Sequence, residues 1–153
     1  MTVIAYKDGI MASDSMLSSK ETGDKLNFGP KVFKIGKALV GISGSAQILV
    51  KIKEIKISKK VPHIYILNKI SSILEDDEED HDFDIMVVIN EKKFIFDNSS
   101  VPCEIYDDFF AIGAGAPIAM GAMECGATAV EAVNAAIVHN IFCGGSIHTV
   151  END

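Results

Sequence analysis

The second residue of the chain is a threonine, in the opening segment Met1-Thr2-Val3-Ile4-Ala5. Loss of the initiator methionine would put a hydroxyl and a free α-amine on that one residue. A threonine hydroxyl is a weak nucleophile until a base takes its proton. A lysine amine titrates near about 10.4 and an α-amine near about 8, so only the terminal amine is substantially unprotonated at neutral pH without heavy tuning. Nucleophile and base would then arrive together, and the chemistry they point to is hydrolysis. The same letter also suits a β-branched position at the head of a strand, and on its own it leaves both readings open.

The elements around Thr2 are legible from periodicity. Val3 to Lys7 and Ile10 to Asp14 flank Asp8-Gly9, a dipeptide that closes β-hairpins, and so predict two antiparallel strands. Ser15 to Pro30 is rich in Ser, Gly, Asn and Lys and reads as a loop with at most short strands. Lys31 to Ile35 and Ala38 to Ser43 form a second hairpin around Gly36-Lys37. After Gly44, the residues Ile48, Leu49, Ile52, Ile55 and Ile57 approximate a helical stripe, and Ile64, Leu67, Ile70 and Leu74 mark a second helix after Pro62.

The second half repeats the order. Phe83 to Asn90 and Lys93 to Asp97 make a hairpin around Asn90-Glu91-Lys92, and Phe109 to Ile112 is a further strand. An Ala- and Met-rich helix runs to about Cys125, Thr128 caps another to His139, and Ile147 to Val150 is a closing strand. Two blocks of strands, each followed by a helix pair, predict an α+β fold: a four-layer αββα sandwich of two antiparallel sheets flanked by helices, in one domain over 1–153.

Composition narrows the function classes. The formal net charge is −8 and all 14 basic residues are lysines, so no guanidinium fork exists for bidentate phosphate or base recognition. Nucleic acid is therefore not an expected partner. The acidic run Glu75 to Asp82 reads as a solvated loop, since it lacks the alternating spacing and turn glycine of an EF-hand. Three widely spaced cysteines, Cys103, Cys125 and Cys143, fit reduced thiols. No apolar run approaches membrane-spanning length and no signal-like segment opens the chain, so the expected address is cytoplasmic. A 48% hydrophobic content with mean hydropathy +0.22 leaves apolar surface for association. Met11, Met16, Met86, Met120 and Met123 are expected in the core or an interface. His139, Cys143 and His148 offer donors to zinc, but no fourth ligand lies at the usual spacing, so no metal centre is expected.

The order of these pieces resembles the N-terminal-nucleophile (Ntn) hydrolases, specifically the proteasome β-type and HslV-type peptidases. The resemblance rests on Thr2, on Asp14 after the second strand, on Lys31-Val32 opening the third, and on Gly41-Ile42-Ser43-Gly44-Ser45-Ala46 at the strand-to-helix turn. It continues in Ala111-Ile112-Gly113-Ala114-Gly115-Ala116-Pro117 and in Ser146-Ile147-His148-Thr149-Val150-Glu151, which look most like the bacterial HslV-type subunit, as do the short chain and the single residue before the threonine.

The resemblance implies Thr2 as nucleophile and, through its amine, base; Lys31 as a buried ammonium; and Asp14 as the carboxylate that holds it. It implies the Gly44 N–H as oxyanion donor. Thr22, Ser43, Ser45 and Ala46 would flank an extended peptide held by strand addition. Beyond these it implies stacked, hexameric homo-oligomeric rings, an AAA-type unfoldase ATPase that uses ATP and delivers unfolded polypeptide, and no cofactor in the chain itself besides a monovalent cation. Two positions depart from the pattern: Ala114 stands where the family usually has serine, and Asn140 where it usually has aspartate. These departures, and the need to remove Met1, keep a non-catalytic or unprocessed ring subunit as the alternative. A hydrolase of small amides on the same sandwich is a third reading.

Overall fold

A computed structural model of the chain describes residues 2–18, 21–58, 60–77, 79 and 82–152. Strand β1 (Val3–Lys7) turns through Asp8 and Gly9, at φ 50° and 81°, into β2 (Ile10–Ser13). Both turn residues are left-handed, which matches the twist of the flanking strands. A short ribbon of β3 (Met16–Ser18) and β4 (Lys25–Asn27) fills part of the predicted loop. Then follow β5 (Val32–Ile35), β6 (Ala38–Ser43), α1 (Ala46–Lys53) and α2 (His63–Asp76). The second half comprises β7 (Asp84–Ile89), β8 (Lys92–Asp97), β9 (Cys103–Ile105), β10 (Phe110–Gly113), α3 (Ala116–Glu124), α4 (Ala129–His139) and β11 (His148–Glu151).

The main strands form two antiparallel sheets, ordered β10-β1-β2-β11 and β5-β6-β7-β8-β9. Alternation along β1 assigns its residues to layers, because successive side chains point to opposite faces. Val3 and Ala5 pack with Ala132, Val133 and Ala136 of α4 and with Met123 of α3. Ile4 and Tyr6 face the other way, onto Leu39, Met86 and Val88 of the second sheet. The far side of that sheet buries Ile42, Val87 and Phe96 under Ile48 and Ile52 of α1 and Ile66 and Ile70 of α2. Three apolar layers between four structural ones give the αββα sandwich that the strand and helix order predicts. Gly41 lets the two sheets close, since a Cβ there would lie 2.7 Å from Ile4 Cγ2.

Several boundaries differ from the expected ones. Helix α1 ends at Lys53, so Ile55 and Ile57 pack against the core from extended chain rather than from a helix. The turn between β7 and β8 is the two residues Asn90 and Glu91, both at positive φ, and Lys92 already pairs with Ile89. Strand β9, unmarked in the sequence by alternation, joins through pairing to β8. Of the acidic run, Glu75 and Asp76 end α2, and Asp77 pairs with Lys51 at 3.1 Å. Glu78, Asp80 and His81 lie outside the described residues, as does Met1. Met11, Met16, Met86 and Met123 are buried, as expected. Among the described residues no helix is long and apolar enough to cross a membrane.

Candidate active site

The first hairpin brings the two ends of its strands together, which sets Thr2, just before β1, beside Asp14, just after β2. The Asp14 N–H donates to the Val3 carbonyl at 3.3 Å, closing the ladder there. Lys31 enters from the start of β5, in the opposite sheet. All three side chains are nearly enclosed, at 2%, 0% and 4% exposure.

Their polar atoms form one connected cluster. The Thr2 hydroxyl donates to Asp14 Oδ1 in a very short contact, and Lys31 Nζ donates to Thr2 Oγ1 at 2.6 Å and to Asp14 Oδ1 at 3.0 Å. A further donation from Lys31 reaches the Met16 carbonyl at 2.6 Å. Asp14 also accepts from the backbone: the Val3 N–H reaches Oδ1 at 3.3 Å and the Gly144 N–H reaches Oδ2 at 3.0 Å. Both oxygens of the buried Asp14 carboxylate are thus met by hydrogen-bond donors.

Burial lowers the pKa of Lys31 from its ordinary value; the Asp14 carboxylate, by charge and hydrogen bond, works against that shift without cancelling it. Asp14 thus favours the ammonium in the predicted sense, but desolvation is the larger effect. Cys143, close by under the same loops, is pushed up to about 11, first by burial and then by the Asp14 charge. Its thiol is neutral near pH 7 and is not a competing nucleophile.

Two glycine-bearing loops hold this cluster from behind. Gly113, at φ 94°, lies so close to Thr2 that a Cβ would sit 2.8 Å from its carbonyl carbon, and the Gly115 N–H donates to the Thr2 carbonyl at 3.1 Å. On the other side Gly144 offers its N–H to Asp14, while its carbonyl accepts from the Ser15 and Met16 N–H groups, each at 3.1 Å. These roles were not read from the sequence beyond the likeness at Gly113. The pair Gly144-Gly145 between a helix and a strand was the available signal.

A cleft of about 290 Å³ opens in front of the threonine, lined by Thr2, Lys31, Gly44, Ser45 and Ala46 and walled by Leu17, Phe28, Ile42 and Leu49. Gly44 is exposed at φ 100°, with the chain of Asp82 and Phe83 against its α-carbon. Ser45 caps α1 by accepting from the Ile48 N–H at 3.2 Å. The cleft therefore gathers six of the eight expected site residues once Asp14, one contact behind Thr2, is counted. The other two fall elsewhere. Ser43 is buried and faces a neighbouring pocket with Asp82, Asp84 and Asp97. Thr22 is exposed and bonds to Asp24 in the segment before β4, away from the cleft lining. Among the described residues no three His, Cys, Asp or Glu side chains are grouped to hold a metal ion.

By sequence the chain matches no family model and no curated protein. Its fold does match solved structures. The BPH protein of Thiobacillus denitrificans in complex with epoxomicin superposes with a TM-score of 0.71 at 21% identity, over 99% of this chain and 98% of that one. A second structure of that protein gives a TM-score of 0.69 at 22% identity, with 99% and 98% covered. HslV from Trypanosoma brucei gives 0.70 at 17% identity, over 99% of both chains. With its paired antiparallel sheets, helical outer layers and a threonine at the head of β1, the chain shares the four-layer αββα fold of these HslV and BPH structures.

Proposed function

We propose that the protein is a threonine-type peptidase subunit that acts once Met1 has been removed. The observation that carries this reading is the contact set of the Thr2 hydroxyl, bonded to both Lys31 and Asp14 at the foot of a cleft whose rim is Gly44. The freed α-amine takes the hydroxyl proton as Oγ1 attacks the peptide carbonyl. Lys31 supplies positive charge beside the alkoxide, and Asp14 fixes Lys31 and the hydroxyl relative to each other. The Gly44 N–H donates to the tetrahedral oxyanion. Collapse breaks the C–N bond, with the α-amine's proton passing to the departing amine, and a water then hydrolyses the Thr2 ester. In this reading the chain works as part of stacked homo-oligomeric rings, hexameric on the HslV pattern. A partner ATPase would supply unfolded polypeptide, and the cytoplasm would be the site of action.

The test couples mass to turnover. The intact mass of the purified protein reports whether Met1 has left. Hydrolysis of fluorogenic peptides with apolar residues before the cleaved bond, and a mass adduct with epoxomicin, report the site. The expected result is turnover and one adduct per chain in protein starting at Thr2, with both lost in Thr2→Ala. Protein that starts at Thr2 yet shows neither sinks the proposal and favours a scaffold subunit. Turnover of small amides but not of peptides would favour the small-amide reading.

A further inference from the structure

Asn140 stands at the end of α4, where its N–H closes the last turn on the Ala136 carbonyl at 2.8 Å. Its side chain then acts in two directions. Oδ1 accepts from the Phe142 N–H at 2.8 Å, a side-chain turn that starts the loop towards Gly144. Nδ2 donates across to the Ala114 carbonyl at 3.1 Å. Ala114 lies between Gly113 and Gly115, which pack on and bond to the Thr2 carbonyl, and the loop that Asn140 starts ends at Gly144, which bonds to Asp14.

We propose that Asn140 is a positioning residue: its carboxamide ties the loop that holds the main chain of Thr2 to the loop that holds the Asp14 carboxylate. The tie needs a donor and an acceptor on one short side chain, which asparagine has and an ionised aspartate has not. An aspartate would keep the Phe142 contact and set a negative oxygen against the Ala114 carbonyl. Asparagine here is therefore a working part of the site rather than a decayed carboxylate. Ala114 fits the same account, because the loop contributes its main-chain carbonyl and needs no side-chain hydroxyl for this bond. The catalytic consequence rests on the peptidase reading; the tie itself does not.

The experiment uses two variants of the assembled protein, Asn140→Asp and Asn140→Ser. Both keep an oxygen for the Phe142 N–H and both lose the bond to Ala114, the first for want of a donor and the second for want of reach, but only the first adds charge. Hydrogen exchange by mass spectrometry over residues 113–116 and 142–145 reads the two loops, and peptide turnover reads the site. The expected result is faster exchange in both segments, and a kcat at least tenfold lower with KM within twofold, for both variants. Exchange within twofold of wild type in both variants overturns the proposal. So does a loss confined to Asn140→Asp, which would make charge the cause, or a lowered Tm with kcat unchanged, which would make the contact merely structural. If wild-type protein that starts at Thr2 shows no turnover, the peptidase reading fails and the exchange measurement alone decides the tie. Should Asn140→Asp fail to fold, Asn140→Ser carries the same readouts.

Discussion

Replacing Asp14 by asparagine removes one charge from a buried cluster without changing its volume. Lys31 would then keep 4% exposure without the Asp14 carboxylate beside it. Burial already depresses its pKa against the pull of Asp14, so the expected response of the folded variant is to release the proton rather than to hold a buried ammonium deprived of the Asp14 charge. That release caps the cost. At pH 7.5 it is about 4 kcal/mol, from about 1.4 kcal/mol for each of the roughly three pH units that separate the solution from an ordinary lysine pKa. The new carboxamide also cannot accept from both Lys31 and the Gly144 N–H, which bonds to Oδ2 at 3.0 Å, and one orphaned contact adds about 1 kcal/mol. For a chain of this size the sum of about 5 kcal/mol lowers Tm by roughly 10 to 20 °C.

The sign of the pH dependence follows from proton counts. In the variant the folded state lacks the Lys31 proton and the unfolded state keeps it until about pH 10, so the unfolded state binds more protons and stability rises with pH by about 1.4 kcal/mol per unit. The gap to wild type should therefore close between pH 7 and 9.5. Thermal unfolding of the two proteins followed by circular dichroism at half-unit intervals measures it. A gap of the same size at both ends of that range, or one below about 1 kcal/mol at pH 7.5, would refute the reasoning, because Lys31 would then not depend on Asp14.

Gly44→Ala strains a residue at φ 100° and drives a methyl group onto the Asp82 carbonyl and to 3.0 Å from Phe83 Cα. With the backbone displaced there, peptide turnover should fall by about 10²- to 10³-fold, the usual effect of losing one oxyanion donor; kcat measured well below Tm checks it. Asp84 faces Asp97 across the β7–β8 ladder, and burial followed by the Asp97 contact and charge raises its pKa to about 6. The folded state thus holds a proton that the unfolded chain releases near its ordinary value of 3.8, and stability falls as pH rises through that window. Asp84→Asn should raise Tm at pH 7 and flatten the decline between about pH 4 and 6, which unfolding curves across that range would test.

The outline of the fold was legible because it is written in local terms. The alternation of β5, the apolar run of β6, turn chemistry at Asp8-Gly9 and the Thr128 cap all act within a few residues, and each produced the element it predicts. Thr2, Asp14, Lys31 and Gly44 could be named in advance because the order of the pieces resembles the proteasome β-type and HslV-type peptidases and these residues match that pattern. What escaped was everything set by one segment folding over another. Thr22 and Ser43, expected to flank a substrate, are not among the residues that line the cleft, while Leu17, Phe28 and Leu49 form its walls. Asn140 looked from sequence like a missing charge. Its partners Ala114 and Phe142, 26 positions away and two positions on, make it a clamp. Type and spacing thus determined which groups stand ready for chemistry, and the packing of α4 and its following loop against β1 decided how they are held, since backbone carbonyls and N–H groups carry no signature in the sequence until the tertiary fold aims them.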